Sequence, residues 1–148
     1  GGKGGNDHCG TIVFSVFFIS FAMLKSPTRM RHYESLIVWK KVHQLCLDVY
    51  KLLPHFPSDE RFCLCSQIRR SAYSTPMNIV EGNTKRSSKE KLRFIESAEA
   101  SLEELDYQLF LSRDLQYISQ EQFEDFRLKI GKVSYLLTQF RTGINRKS

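Results

Sequence analysis

The stretch SQEQFEDFRLKIGKVSYLLTQF, residues 119–140, carries six apolar side chains at helical spacing. Phe123, Phe126, Ile130, Val133, Leu137 and Phe140 follow at steps of three, four, three, four and three, so they share one face of an α-helix. Ser119 with Gln122 forms a capping-box pattern ahead of that face, and Gly143 reads as its stop. A seam this regular needs other helices to cover it, so the stretch points to a helical bundle.

Working outward, the preceding residues supply the partners. Ser87 with Glu90 is a second capping-box pattern, opening a helix to about Leu115 whose core line is Leu92, Ile95, Ala98, Leu102, Leu105 and Leu109. Before it, Ser58 caps a helix expected to reach Gly82, with Asp59 and Glu60 suiting its positive end. Phe62, Leu64, Ile68, Ala72 and Ile79 are its apolar contacts. Pro76 lies inside and should kink it or free a carbonyl near Ala72, and Gly82-Asn83 reads as the stop. The first helix runs from about Tyr33 to Leu53 on Val38, Val42, Leu45, Val49 and Leu52, and Pro54 and Pro57 end it. No segment alternates with period two over a useful length, and no Asn-Gly hairpin signal appears. The expected fold is all-α, an antiparallel up-down-up-down four-helix bundle. Phe94, Tyr107 and Phe110, beside the main seam of the third helix, suggest an extra apolar surface for self-association.

The first 29 residues look foreign to this pattern. They begin with a glycine-rich tract and continue through an apolar run, Thr11 to Leu24, which is shorter than the roughly twenty residues that cross a bilayer. Its length suits the apolar region of an export signal. Met30, however, opens a self-sufficient amphipathic pattern, so residues 1–29 are read as upstream or appended sequence and residues 30–148 as the domain. A chain of 148 residues, 41% hydrophobic and 26% charged, is a globular protein with one core. The four cysteines form neither a disulfide framework nor a metal set, since Cys63 and Cys65 would point about 200° apart on a helix. They read as reduced thiols of a cytoplasmic protein.

Two constellations stand out. Gln67, Ser71, Ser74, Asn78 and Glu81, with Arg70 beside them, put polar groups on the spacing of a bundle seam. A buried stripe of this kind is a hydrogen-bond network fixing helix register; an exposed one is an interface or a ligand site. No His, Cys or Ser-base pair joins Glu81 at a catalytic spacing, so no enzyme is indicated. An enzyme would regain ground only if Glu81, Asn78 and Arg70 lined a pocket.

The second constellation is basic. Lys85, Arg86, Lys89, Lys91 and Arg93, opposed only by Glu90, give a net charge of +4 within nine residues. The whole chain carries +6; three of its 22 basic and one of its 16 acidic residues precede Met30, which leaves +4 for the domain. The turn between the second and third helices thus holds a charge equal to the domain's entire excess. It reads either as a solvated turn or as a phosphate-binding corner, which Arg141, Arg146 and Lys147 would extend. Without an aromatic platform, binding there would be backbone-directed, salt-sensitive and poor at discriminating sequence. The acidic run Glu96, Glu99, Glu103, Glu104 and Asp106 lacks the Glu-x-x-His pairs of di-metal bundles, so neither metal nor cofactor is expected.

Several segments carry a family resemblance. Leu36-Ile37-Val38-Trp39-Lys40-Lys41, Phe56-Pro57, Gln67-Ile68-Arg69-Arg70-Ser71, Asn78-Ile79-Val80-Glu81-Gly82 and Ser101-Leu102-Glu103-Glu104-Leu105 occur in order from Met30 onward. They resemble the four-helix-bundle proteins encoded within intervening sequences of bacterial 23S ribosomal RNA genes. The resemblance implies a left-handed bundle assembling as a ring-shaped homo-oligomer of five. Related accessory proteins of diversity-generating retroelements bind nucleic acid and a reverse transcriptase. The expected partners are therefore a second copy, structured RNA such as rRNA, or a protein such as a reverse transcriptase, and no membrane. A scaffold that docks a partner enzyme without touching nucleic acid is the competing expectation.

Overall fold

The computed structural model describes residues 31–146. Four α-helices dominate them: α1 (Ile37–Leu52), α2 (Leu64–Thr84), α3 (Ser88–Asp114) and α4 (Gln120–Asn145). Three short 3₁₀ segments, His32–Ser35, Leu53–His55 and Ser58–Glu60, complete the elements, and no strand occurs among the described residues. α1 packs on α2, α2 on α3, α3 on α4 and α4 on α1, a closed circuit that encloses one core. The expected extension, residues 1–29, lies outside the described residues.

The periodic residues form that core. Val38, Val42, Leu45, Val49 and Leu52 of α1 are buried, as are Phe123, Phe126, Ile130, Val133 and Leu137 of α4. α3 contributes Ile95, Ala98, Leu102, Leu105 and Leu109. Each large side chain removed from water in this way contributes about 1.5–3 kcal/mol. At the start of α4 the capping box forms as expected: Gln122 N–H donates to Ser119 Oγ at 3.0 Å, and Ser119 N–H to Gln122 Oε1 at 2.9 Å.

The element ends differ from expectation for local reasons. Leu36 has extended backbone angles, so His32–Ser35 is a separate 3₁₀ turn and α1 begins only at Ile37. α2 begins at Leu64, not at Ser58. Glu60 accepts the Leu64 amide at 3.1 Å and the Tyr117 hydroxyl at 3.0 Å, which caps the helix late and leaves the preceding residues in a turn. Phe62 therefore does not join the core; it is 86% exposed. α2 stays helical through the buried Pro76, where the ring leaves the Ala72 carbonyl without its usual donor.

Neither Gly82 nor Gly143 ends its helix; α2 runs on to Thr84 and α4 to Asn145. Gly82 serves packing instead. A Cβ placed there would lie 2.9 Å from Cβ of Phe94 on α3, so glycine permits the close approach of the two helices. The turn that does need a left-handed residue is α3–α4. Gln116, with φ of 62°, donates to Arg113 O while Tyr117 N–H donates to Ser112 O, both at 2.9 Å, and these bonds make a Schellman closure.

Candidate nucleic-acid interface

The turn that joins α2 to α3 carries the basic cluster. Lys85 leaves the helix in an extended conformation, with its N–H bonded to Gly82 O at 3.1 Å. Ser87 occupies the N-cap of α3, but its side chain makes no capping bond, so the box expected with Glu90 does not form. The first-turn amides of α3 thus lack a side-chain acceptor.

Helical geometry divides the five cations. At 100° per residue, Lys89 and Arg93 stand about 40° apart, whereas Lys91 lies about 160° from either. Lys89 and Arg93 line one groove of about 410 Å³ with Ser88, Leu92, Glu96 and Asn145. Lys91 lines a separate cavity of about 400 Å³ with Leu36, Asn83, Ile95, Gln139 and Phe140. Lys85 holds its ammonium 5.0 Å from the centre of the Phe94 ring, and Arg86 is exposed. None of the five makes an ion pair among the described residues. Four cations elsewhere are paired, among them Lys129, which contacts Asp48 at 3.0 Å and Asp125 at 2.8 Å, and Arg127, which contacts Asp106 at 3.4 Å. Arg141, expected to extend the patch, instead pairs with Glu99 at 3.2 Å. Arg146 is exposed, and Lys147 lies outside the described residues.

The polar stripe of α2 is split by burial. Gln67, Arg70 and Glu81 are exposed, Ser71 is buried, and Ser74 and Asn78 are half-buried. Ser74 Oγ and Ser101 Oγ of α3 lie 2.9 Å apart, and Asn78 Nδ2 donates to the Ser74 carbonyl at 2.9 Å and its hydroxyl at 3.2 Å. Ser71 and Thr75 return their hydroxyls to the carbonyls four residues back, at 3.1 Å each. The middle of the stripe is thus a hydrogen-bonded seam between α2 and α3, while its ends face solvent. Arg70, Asn78 and Glu81 line none of the cavities named here.

Two buried polar side chains of α3 escaped the sequence reading. Gln108 and Ser112 lie on the face of Leu105 and Leu109, four residues apart, and that interruption of an apolar line was the available signal. Gln108 Nε2 donates to Glu104 at 3.2 Å, while its buried Oε1 has no partner among the described residues. The apolar residues expected to share one surface of α3 do not: Phe94 packs against Gly82, and Phe110 meets Phe123 edge-on with Arg113 over its face. Only Tyr107 stands largely free, at 64% exposure.

Among the described residues no three His, Cys, Asp or Glu side chains are placed to share a metal ion. Burial pushes the thiols of Cys46 and Cys65 above their ordinary pKa, which makes both poor nucleophiles. No helix among the described residues is long and apolar enough to cross a membrane.

Comparison with known proteins adds two findings. The family described as 23S rRNA-intervening sequence protein matches residues 34–139. The crystal structure of a protein of unknown function from the S23 ribosomal protein family of Bacteroides thetaiotaomicron is similar to this chain with a TM-score of 0.66 at 24% identity. The match covers 71% of this chain and 98% of that one, and at this identity it speaks for the fold alone. No curated protein matches the chain.

Proposed function

The chain belongs to the 23S rRNA-intervening sequence protein family, and from that premise we propose that it is a non-enzymatic bundle that associates with structured RNA through its α2–α3 corner. Lys85, Arg86, Lys89, Lys91 and Arg93 contact phosphate oxygens, and shape rather than base identity sets the preference. The observation that carries this reading is the density of unpaired cations at one turn. Five cations within nine residues form no ion pair among the described residues, whereas the other unpaired cations, such as Lys51, Lys132 and Arg146, are scattered singly or in pairs along the chain. Unpaired cations keep their full attraction for a polyanion, whereas paired ones spend it locally.

Because the cations circle the start of α3, a phosphate backbone crossing the corner meets them on more than one side. Assembly into a ring of identical subunits would repeat the corner and multiply its contacts. Such assembly fits the exposed Tyr107, Leu128 and Tyr135, each about two-thirds exposed. Alternating helix directions are supported by the 400 Å³ cavity, which joins the leading end of α1, the close of α2, the start of α3 and the close of α4. The free thiols of Cys46, Cys63 and Cys65 suit the cytoplasm.

The same exposed apolar side chains favour one competing role, a scaffold that docks a partner enzyme and never touches nucleic acid. Affinity purification with and without nuclease separates the two. RNA association requires that RNA co-purify and that reversing the five charges remove it. A scaffold retains its protein partner after nuclease treatment and yields no RNA.

A further inference from the structure

At the other end of α2 from the basic corner lies a groove of about 620 Å³, lined by Pro57, Ser58, Arg61, Phe62, Ser66 and Arg69 among others. No carboxylate lines it. Arg61 is exposed and Arg69 half-buried, and neither forms an ion pair among the described residues. The nearby Glu60 is committed to the Leu64 amide and the Tyr117 hydroxyl.

Phe62 is the most exposed large apolar side chain of the described residues, at 86%. Leaving a phenyl ring in water forgoes the free energy of burying it, so a ring in this position is free to contribute that energy to a ligand. The late cap at Glu60 holds it in a turn, away from the core. The chemistry on offer is therefore specific: one open aromatic face, two unpaired guanidinium groups and two serine hydroxyls around a single groove. Planar guanidinium forks match phosphate oxygens, and an open aromatic face accepts any base by stacking.

We propose that this groove binds one unpaired nucleotide, with its base stacked on Phe62 and its phosphate held by Arg61 and Arg69. The site goes beyond the corner reading and stands apart from it. The 21 residues of α2 span roughly 30 Å at 1.5 Å per residue, and at the corner the Phe94 ring is covered by the Lys85 ammonium. The ligand chemistry is that of a nucleoside monophosphate, whether free in solution or as an unpaired residue of an RNA strand.

Fluorescence anisotropy on the full-length protein tests it, with a labelled oligouridylate of roughly ten nucleotides, a labelled RNA duplex, and uridine monophosphate as competitor. Phe62→Ala should weaken oligouridylate binding about 5- to 150-fold, the range for one lost stacking contact, and leave duplex affinity unchanged. Phe62→Trp should retain binding, and Arg61→Gln with Arg69→Gln should lower it. Competition by the monophosphate supports the site with a free nucleotide as its ligand; oligouridylate binding without such competition supports it with a strand residue. Any of four results would overturn the proposal: no oligouridylate binding by the wild type, unchanged affinity in Phe62→Ala, equal losses for duplex and single strand, or a change in molecular mass by light scattering in Phe62→Ala. The last would show that Phe62 covers another copy of the chain. Failure of the corner reading would appear separately, in the duplex affinity of Lys89→Glu with Arg93→Glu. Phe62 and Arg61 are exposed, so these variants should keep their helices, which circular dichroism checks.

Discussion

Replacing Gly82 by alanine tests the packing that holds the basic corner. The new Cβ would sit 2.9 Å from Phe94 Cβ, closer than side-chain carbons approach one another. Phe94 cannot relieve this by rotating, because its Cβ is fixed to the α3 backbone; the two helices must move apart. Overpacking of this kind costs about 1–3 kcal/mol. Alanine in a helix gains about 0.8–1.0 kcal/mol over glycine, an upper bound here because α2 ends two residues later. Gly131→Ala supplies the control: that glycine is exposed within α4, and nothing lies within 4 Å of its Cβ position. The propensity gain at Gly82 is at most that at Gly131, so their difference gives the overlap to within about 1 kcal/mol. Gly131→Ala should stabilise the protein by about 1 kcal/mol, and Gly82→Ala should fall about 1–3 kcal/mol below it. Urea unfolding followed by circular dichroism measures both, provided the slopes agree. An equal gain at the two positions would refute the close approach and make Gly82 an ordinary helix-interior glycine.

Other outcomes follow from single features. Gln116→Gly should stabilise by roughly 1 kcal/mol, since the left-handed conformation at φ of 62° is strained for a side chain, and a lower urea midpoint would contradict this. A double-mutant cycle of Ser74→Ala and Ser101→Ala should return a coupling of about 0.5–1.5 kcal/mol for the 2.9 Å hydroxyl contact, and additive losses would dismiss it. Burial raises the pKa of Asp48, but hydrogen bonds from Lys129 and Gln44 and the attraction of Lys129 and Lys51 outweigh it and hold the carboxyl below its usual range. A depressed folded pKa means that the stabilisation is complete above the unfolded pKa and is lost as pH falls through the folded value. The stability gap between wild type and Asp48→Asn should therefore be constant near neutrality and shrink below about pH 4, and a pH-independent gap would exclude the linkage.

The helical part of the fold was legible because burial on a helix follows a 3.6-residue period that side-chain type records. The seams of α1 and α4 could be read residue by residue. What escaped depends on contacts between elements. Gly82 looks like a helix end in the sequence, and only the position of Phe94 across the α2–α3 interface gives it a packing role. Phe62 carries the polarity of a core residue, but the late cap at Glu60 puts it outside the helix. The polar stripe could be seen as a shared face, whereas its division into a buried seam and exposed ends follows from where α3 lies. In the basic cluster the sequence shows five cations within nine residues, and the helix then turns Lys91 away from Lys89 and Arg93. For the same reason, Lys89 and Arg93 make the sharpest probe of the corner.

That probe is the salt dependence of affinity for a structured RNA, measured for wild type and for Lys89→Gln with Arg93→Gln. Phosphate contact by both side chains requires the slope of log affinity against log salt to become shallower by about 1.4–1.8 in the variant. Parallel slopes for the two proteins would contradict phosphate recognition at this corner.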